Sequence, residues 1–271
     1  MTPTALVAHA AIARVSAIAL TDHDTVAGLD EAMSAATAAT EVIPGVEFSV
    51  QPPGPDSTVH LLGLFIDHRH PALCAAISRL QDMRADRNRR LLARLQELGC
   101  AITMADVERE SKGATVGRVH FARALVVAGC SRSRESAFAD FIGNNGRAAV
   151  PRERMAPAEA IALIRTAGGV PILAHPSTIS LKPGALRALV KSYADMGLAG
   201  IEVFYPSHDP GQCEKFSRLA AEFNLVRSGG TDFHGDNKKD IRLGTGRGNL
   251  YVHDSLLAPI RALATRTGER T

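Results

Sequence analysis

The sequence contains no tryptophan, and only three tyrosines and nine phenylalanines are spread over its 271 residues. A platform for single-stranded nucleic acid built mainly on stacked aromatic rings is therefore not expected. Charge of one sign is missing too: 31 basic residues face 28 acidic ones, a net charge of +3 with His neutral. That balance argues against a general duplex-DNA surface and leaves room for a local basic pocket. The four cysteines, Cys74, Cys100, Cys130 and Cys213, include no C-x-x-C pair, so neither a zinc-knuckle spacing nor a dense disulfide framework is present. Reduced thiols in a cytoplasmic protein are the simplest expectation. Residues 5–15 are broken by His9 and Arg14, and no apolar run is long enough to span a membrane. Ala8-His9-Ala10 mimics a signal-cleavage site but lacks a preceding basic segment.

Two widespread catalytic signatures are also absent, the G-x-S-x-G nucleophile elbow and the Walker A loop. Gly244-Thr245-Gly246-Arg247-Gly248 is glycine-rich, but it precedes a predicted strand rather than a helix, which is the wrong context for a dinucleotide fingerprint. His68-Arg69-His70 reads as a solvated loop, because Pro71 follows at once and opens a helix.

What is present is an ordinary globular composition, 45% hydrophobic and 22% charged, in a chain long enough for one α/β barrel. Thr2 and Pro3 predict a helix start, with the helix running to about residue 14. A strand at 16–20, a helix capped by Asp24 or Thr25 and ending near 37, and strands at 41–50, with a turn at Pro44-Gly45, and 60–66 follow. From residue 71 to about 98 the apolar residues recur at helical spacing, and helices at 103–111, 117–129 and 133–142 come next. This run predicts a helical subdomain, 71–155, inserted into a domain made of 1–70 and 156–271. Strand–helix alternation then resumes, with helices at 157–167, 183–196 and 210–223, strands at 169–174, 200–204 and 225–229, and a late strand at 249–252. The expected architecture is a parallel sheet closed as a barrel, with a polar tail fraying after Ala264.

Polar clusters collect at one topological place. Asp22-His23-Asp24 ends a strand, Glu47 lies within one, His175 follows another, and Asp232 with His234 follows a fourth. Loops at the carboxyl ends of parallel strands are where α/β barrels carry chemistry. Imidazoles and carboxylates together, without thiolate, suit Zn, Mn or Fe, and a carboxylate bridges two ions well. Arg118, His120 and Arg123 gather at a predicted helix start, where guanidinium and free N–H groups favour phosphate. A basic surface turn is the plain alternative. Asn144, Asn145, Gly146, Arg147 and Arg152 read either as a polar lid or as a bare connection.

These residues resemble those of the PHP (polymerase and histidinol phosphatase) metallophosphoesterases. The resemblance rests on Thr21-Asp22-His23-Asp24-Thr25, Gly45-Val46-Glu47, Ala174-His175-Pro176 and Ser228-Gly229-Gly230-Thr231-Asp232-Phe233-His234. Gly117-Arg118-Val119-His120 and the insert are most similar to the branch of 3′,5′-nucleoside bisphosphate phosphatases and the 5′→3′ exoribonuclease RNase AM. The resemblance implies a distorted (β/α)7 barrel of TIM type holding up to three divalent ions, most often Mn²⁺, with Zn²⁺, Fe²⁺ or Mg²⁺ as alternatives. It implies Glu47 as a bridging ligand, His60 and His175 on the second ion, Asp232 on the first, and His23 and His234 on the third. It further implies that Glu47, His175 and Asp232 serve catalysis and that Arg118, His120 and His208 contact substrate phosphate. A bridging hydroxide would attack the phosphorus of a nucleotide or short RNA. The family opens with a strand bearing an H-x-H pair, whereas Met1-Thr2-Pro3-Thr4-Ala5-Leu6-Val7 matches the helix after it. The expectation is a true start upstream of Met1. A binding-only remnant of the fold is the second reading. A third, an amidohydrolase acting on C–N bonds, is disfavoured by Arg118 and Arg123.

Overall fold

The computed structural model describes residues 1–54, 57–111, 113 and 115–268. The chain divides into two compact units, Met1–Ile77 with Arg154–Thr271 and Ser78–Glu153.

The first unit begins with α1 (Pro3–Ile12), where Thr2 Oγ1 accepts the Ala5 N–H at 3.2 Å and Pro3 occupies the first turn. β1 (Ala17–Leu20) follows. The predicted helix from residue 24 shrinks to α2 (Leu29–Ser34), preceded by Gly28, which has no side chain to cap it. Asp24 and Thr25 do not cap that helix, because residues 22–24 are held along the next strand. The Asp24 N–H donates to the Glu47 carbonyl at 3.0 Å, and the Glu47 N–H donates to the Asp22 carbonyl at 3.2 Å.

β2 (Glu41–Val50) runs without interruption through Pro44-Gly45, so the predicted turn there is not formed. Its residues 41–44 pair in parallel with β1, and residues 45–50 pair antiparallel with β3 (Val59–Leu64). Proline stands where one ladder hands over to the other, and glycine is needed beside it. A Cβ on Gly45 would lie 2.7 Å from Thr21 Cγ2 and 3.1 Å from the Gly63 carbonyl oxygen.

The remaining elements of this unit are α7 (Pro157–Thr166), β4 (Val170–Leu173), α8 (Pro183–Asp195), β5 (Gly200–Phe204), α9 (Pro210–Glu222), β6 (Val226–Gly229) and α10 (Leu257–Gly268). The six strands lie in the order β1-β2-β3-β4-β5-β6. The sheet is mixed rather than parallel, because β3 is antiparallel to both β2 and β4 while the other pairs are parallel. The short 51–58 link explains the first reversal, since a parallel return needs a crossover of roughly a dozen residues or more. The late strand at 249–252 is not formed; Leu250 N–H instead closes a turn onto the Thr245 carbonyl at 3.2 Å. The C-terminal helix continues to Gly268, beyond the expected fraying point, and Ile260 inserts among Ile43, Leu64, Val170 and Ile172.

The second unit is helical. It contains most of α3 (Pro71–Glu97), then α4 (Met104–Ser111), α5 (Arg118–Val127) and α6 (Arg134–Ala137) with a π-helical turn at Phe138–Ile142. Leu91, Leu95, Ile102, Val107, Phe121, Leu125 and Ile142 form its core. Among the described residues, no helix is long and apolar enough to cross a membrane.

Candidate metal centre

Glu47 anchors the centre from the interior of β2, on the strand face opposite the apolar Val46 and Phe48. Three imidazoles converge on its buried carboxylate. His60 Nδ1 lies 2.8 Å from Glu47 Oε1, His175 Nε2 3.0 Å from the same oxygen, and His23 Nε2 3.5 Å from Oε2. His60 Nδ1 and His175 Nε2 are 3.3 Å apart. Donor atoms of His23, Glu47 and His60 all fall within 4.8 Å of one another.

Each side chain arrives by a different local route. His23 is carried by the 22–24 extension of β1, bridged to Glu47 in parallel. His60 is the second residue of β3 and opposes Ser49 near the end of β2. An antiparallel neighbour begins where its partner ends, which is why a residue at the start of a strand reaches a site at the carboxyl ends of the others. His175 leaves β4 with φ 25° and ψ 63°, a left-handed backbone uncommon for a side-chain-bearing residue.

The electrostatics follow from this crowding. Burial works to raise the Glu47 pKa, but hydrogen bonds from His175 and His60 and the charge of His23 hold it well below the carboxylate range. Burial opposes charge on His175, yet its bond to Glu47 and the nearby Glu202, Glu47 and Asp232 carboxylates raise its pKa. Asp22 is raised by burial, countered by His234 and reinforced by Glu47.

Asp232 and His234 form an adjoining group after β6. His234 Nδ1 is 3.3 Å from Asp232 Oδ1 and 2.7 Å from the Asp232 carbonyl. Asp232 Oδ2 accepts from Tyr205 OH at 3.0 Å and from Lys238 Nζ at 2.5 Å. The Tyr205 ring stands 5.5 Å from that of His175, joining the two groups. The chemistry of this donor set, neutral-capable imidazoles around an anionic carboxylate with no thiolate, suits borderline divalent ions.

Other residues singled out in the sequence sit elsewhere. His208 is buried, with Nδ1 2.8 Å from the Val203 carbonyl and Nε2 2.9 Å from Ser177 Oγ, and burial lowers its pKa. In the helical unit, Arg118 opens α5 and donates to Asn144 Oδ1 at 3.0 Å. His120 accepts the Gly117 N–H at 3.0 Å, closing the helix start, and its pKa is lowered chiefly by burial. His68 contacts Asp30 Oδ1 at 2.8 Å, a partner the loop reading did not supply. Sequence reasoning missed Glu202, Tyr205 and Lys238. A carboxylate inside the apolar run Gly200-Ile201-Glu202-Val203-Phe204 was an available signal for the first.

No protein-family model matches the chain. The 5′-3′ exoribonuclease Rnm of Escherichia coli K12 is 32% identical over 237 residues, 86% of this chain and 80% of that protein. The 3′,5′-nucleoside bisphosphate phosphatase of Chromobacterium violaceum is 33% identical over 247 residues, 89% and 85% of the two chains. Among solved structures, a Bifidobacterium adolescentis protein described as a metal-dependent phosphoesterase superposes with TM-score 0.82 at 29% identity, over 97% of this chain and 91% of that one. A Chromobacterium violaceum protein described as an amidohydrolase, with bound sulfate, gives TM-score 0.80 at 30% identity, over 96% and 92%. With a clustered His/Glu centre of this composition and relatives aligned along most of its length, the chain belongs to the family of metal-dependent phosphoesterases that includes this bacterial exoribonuclease and the bisphosphate phosphatase.

Proposed function

We propose that this chain, as a PHP-type enzyme, hydrolyses phosphate esters of nucleotides, releasing the 3′-phosphate of nucleoside 3′,5′-bisphosphates and trimming short RNA from its 5′ end. The observation that carries the reading is the convergence of His23, His60 and His175 on the single buried carboxylate of Glu47. The names of the relatives support the substrate class.

In this reading Glu47 would be a ligand common to two divalent ions, His60 and His175 would complete one of them and Asp232 the other, and His23 with His234 would serve a third. Divalent metal at such a centre, Mn²⁺ by our assignment, supplies activation of water and neutralises charge developing on the phosphoryl group. The chain's own contribution is to gather the Glu47 carboxylate and the ligand imidazoles in one place before substrate arrives. Tyr205 and Lys238 orient the Asp232 carboxylate by donating to the same oxygen.

Arg118 is assigned to a substrate phosphate. It stands at the N-terminus of α5, where backbone N–H groups and guanidinium both favour an anion. His120 shares that helix start. His208, the third residue assigned to phosphate, acts through Ser177, to which its Nε2 is bonded.

The test is a substrate panel run with the Mn²⁺-loaded full chain: adenosine 3′,5′-bisphosphate, a 5′-phosphorylated RNA pentamer and an anilide. The reading expects inorganic phosphate from the first and mononucleotides from the second. Turnover of the anilide with neither phosphoester cleaved would replace it with C–N hydrolysis.

A further inference from the structure

Glu202 lies in the middle of β5, within a strand whose first four residues are all buried. A carboxyl group in such surroundings is costly unless it is hydrogen-bonded. Its cross-strand neighbour is Ser228, yet the buried Ser228 Oγ has no hydrogen-bond partner, so Glu202 is not spent on tying β5 to β6. Its Oε2 instead accepts the backbone N–H of His175 at 2.6 Å, 27 residues away in sequence.

The residue it holds is the one that needs holding. His175 has a left-handed backbone, φ 25° and ψ 63°, in a position preceding Pro176, where the allowed backbone is narrowed further. Such conformations persist only when the surroundings over-determine them. The side chain is restrained separately: Nδ1 lies 3.1 Å from Thr178 Oγ1, and that hydroxyl also reaches the Thr58 carbonyl at 3.2 Å. Thr178 thus sets the ring, while the backbone that carries the ring is fixed from β5.

We propose that Glu202 is a positioning residue for the metal centre, and that it acts by accepting the His175 N–H and so fixing the bend from which His175 reaches Glu47 and its ion. The proposal rests on the reading of His175 as a metal ligand. Partners of this kind around a ligand are worth about 10–100-fold in metal affinity.

The test is calorimetric titration of Mn²⁺ into metal-free full-length protein, with circular dichroism to establish folding. E202Q keeps an acceptor oxygen at the same reach and binds within about threefold of the wild type, well inside that range. E202L fills the space without an acceptor and binds about 10–100-fold more weakly. E202D keeps the charge but shortens the reach; it shows the same loss and stands in if E202L does not fold. Wild-type affinity in E202D or E202L overturns the proposal, as does a loss in E202Q equal to theirs, which would make charge or packing the cause. Absence of Mn²⁺ binding by the wild type itself would overturn the metal-centre reading instead.

Discussion

The two units spend their buried volume differently. In the helical unit the core is Leu, Ile, Val, Phe and Ala with Cys100, and its only buried polar or charged residues among those described are Arg87, Asn88 and Ser111. In the sheet unit Asp24, Glu47, Ser49, His175, Glu202, His208 and Ser228 are all buried alongside the apolar strands. Backbone strain divides the same way. Among the described residues, every non-glycine with positive φ lies in the sheet unit, and three of them, Asp24, His175 and Asp232, border the cluster around Glu47. Among the described residues of the helical unit, left-handed backbone occurs only at glycines, Gly99, Gly113 and Gly129. Strained residues and buried polar groups cost stability and gather where chemistry is done. Both features of the sheet unit gather around the carboxylate of Glu47.

Three substitutions sharpen that contrast. Asp232→Ala, in the sheet unit, lowers kcat by at least ~100-fold while the protein stays folded; near-normal turnover in a folded variant would remove Asp232 from the reaction. Arg118→Ala, in the helical unit, raises KM by about tenfold with kcat nearly unchanged, the cost of one charge-assisted contact shared by ground and transition states. An unchanged KM would take Arg118 out of phosphate binding. The smallest effect concerns pH. Burial lowers the His208 pKa below its ordinary 6.5, so the unfolded chain takes up that proton first. The stability of metal-free protein is then full above pH 6.5 and declines as pH falls from there through the lower folded-state value. His208→Gln flattens this decline in urea melts between pH 5 and 7; an unaltered slope would contradict it.

Much of the fold was legible because periodicity and caps act locally. Thr2-Pro3 opened α1, and the apolar spacing after Pro71 gave α3. The failures arose where tertiary pairing decides. Pro44-Gly45 has turn composition, yet it lies inside a strand because two ladders meet there and only glycine fits their approach. Residues 249–252 have strand composition but no partner strand, and a strand without a ladder does not form. Asp24 has cap chemistry but is held beside Glu47 by backbone bonds. At the site, His23 and His175 could be placed from strand ends, and Glu47 as a carboxylate inside an apolar strand. His60 could not, because its position follows from the antiparallel direction of β3, which periodicity does not reveal. Glu202 was visible as a charge in an apolar run, but its target, a backbone N–H distant in sequence, emerges only from the folded sheet.

The most direct test of the account is metal removal and return. The full chain is stripped with a chelator, dialysed, and assayed for phosphate release from adenosine 3′,5′-bisphosphate before and after Mn²⁺ is restored, with bound metal measured in each sample. The account predicts no release when stripped and full recovery with Mn²⁺, in proportion to the metal bound. Release that persists in the stripped protein, or its absence when metal is fully bound, would contradict it.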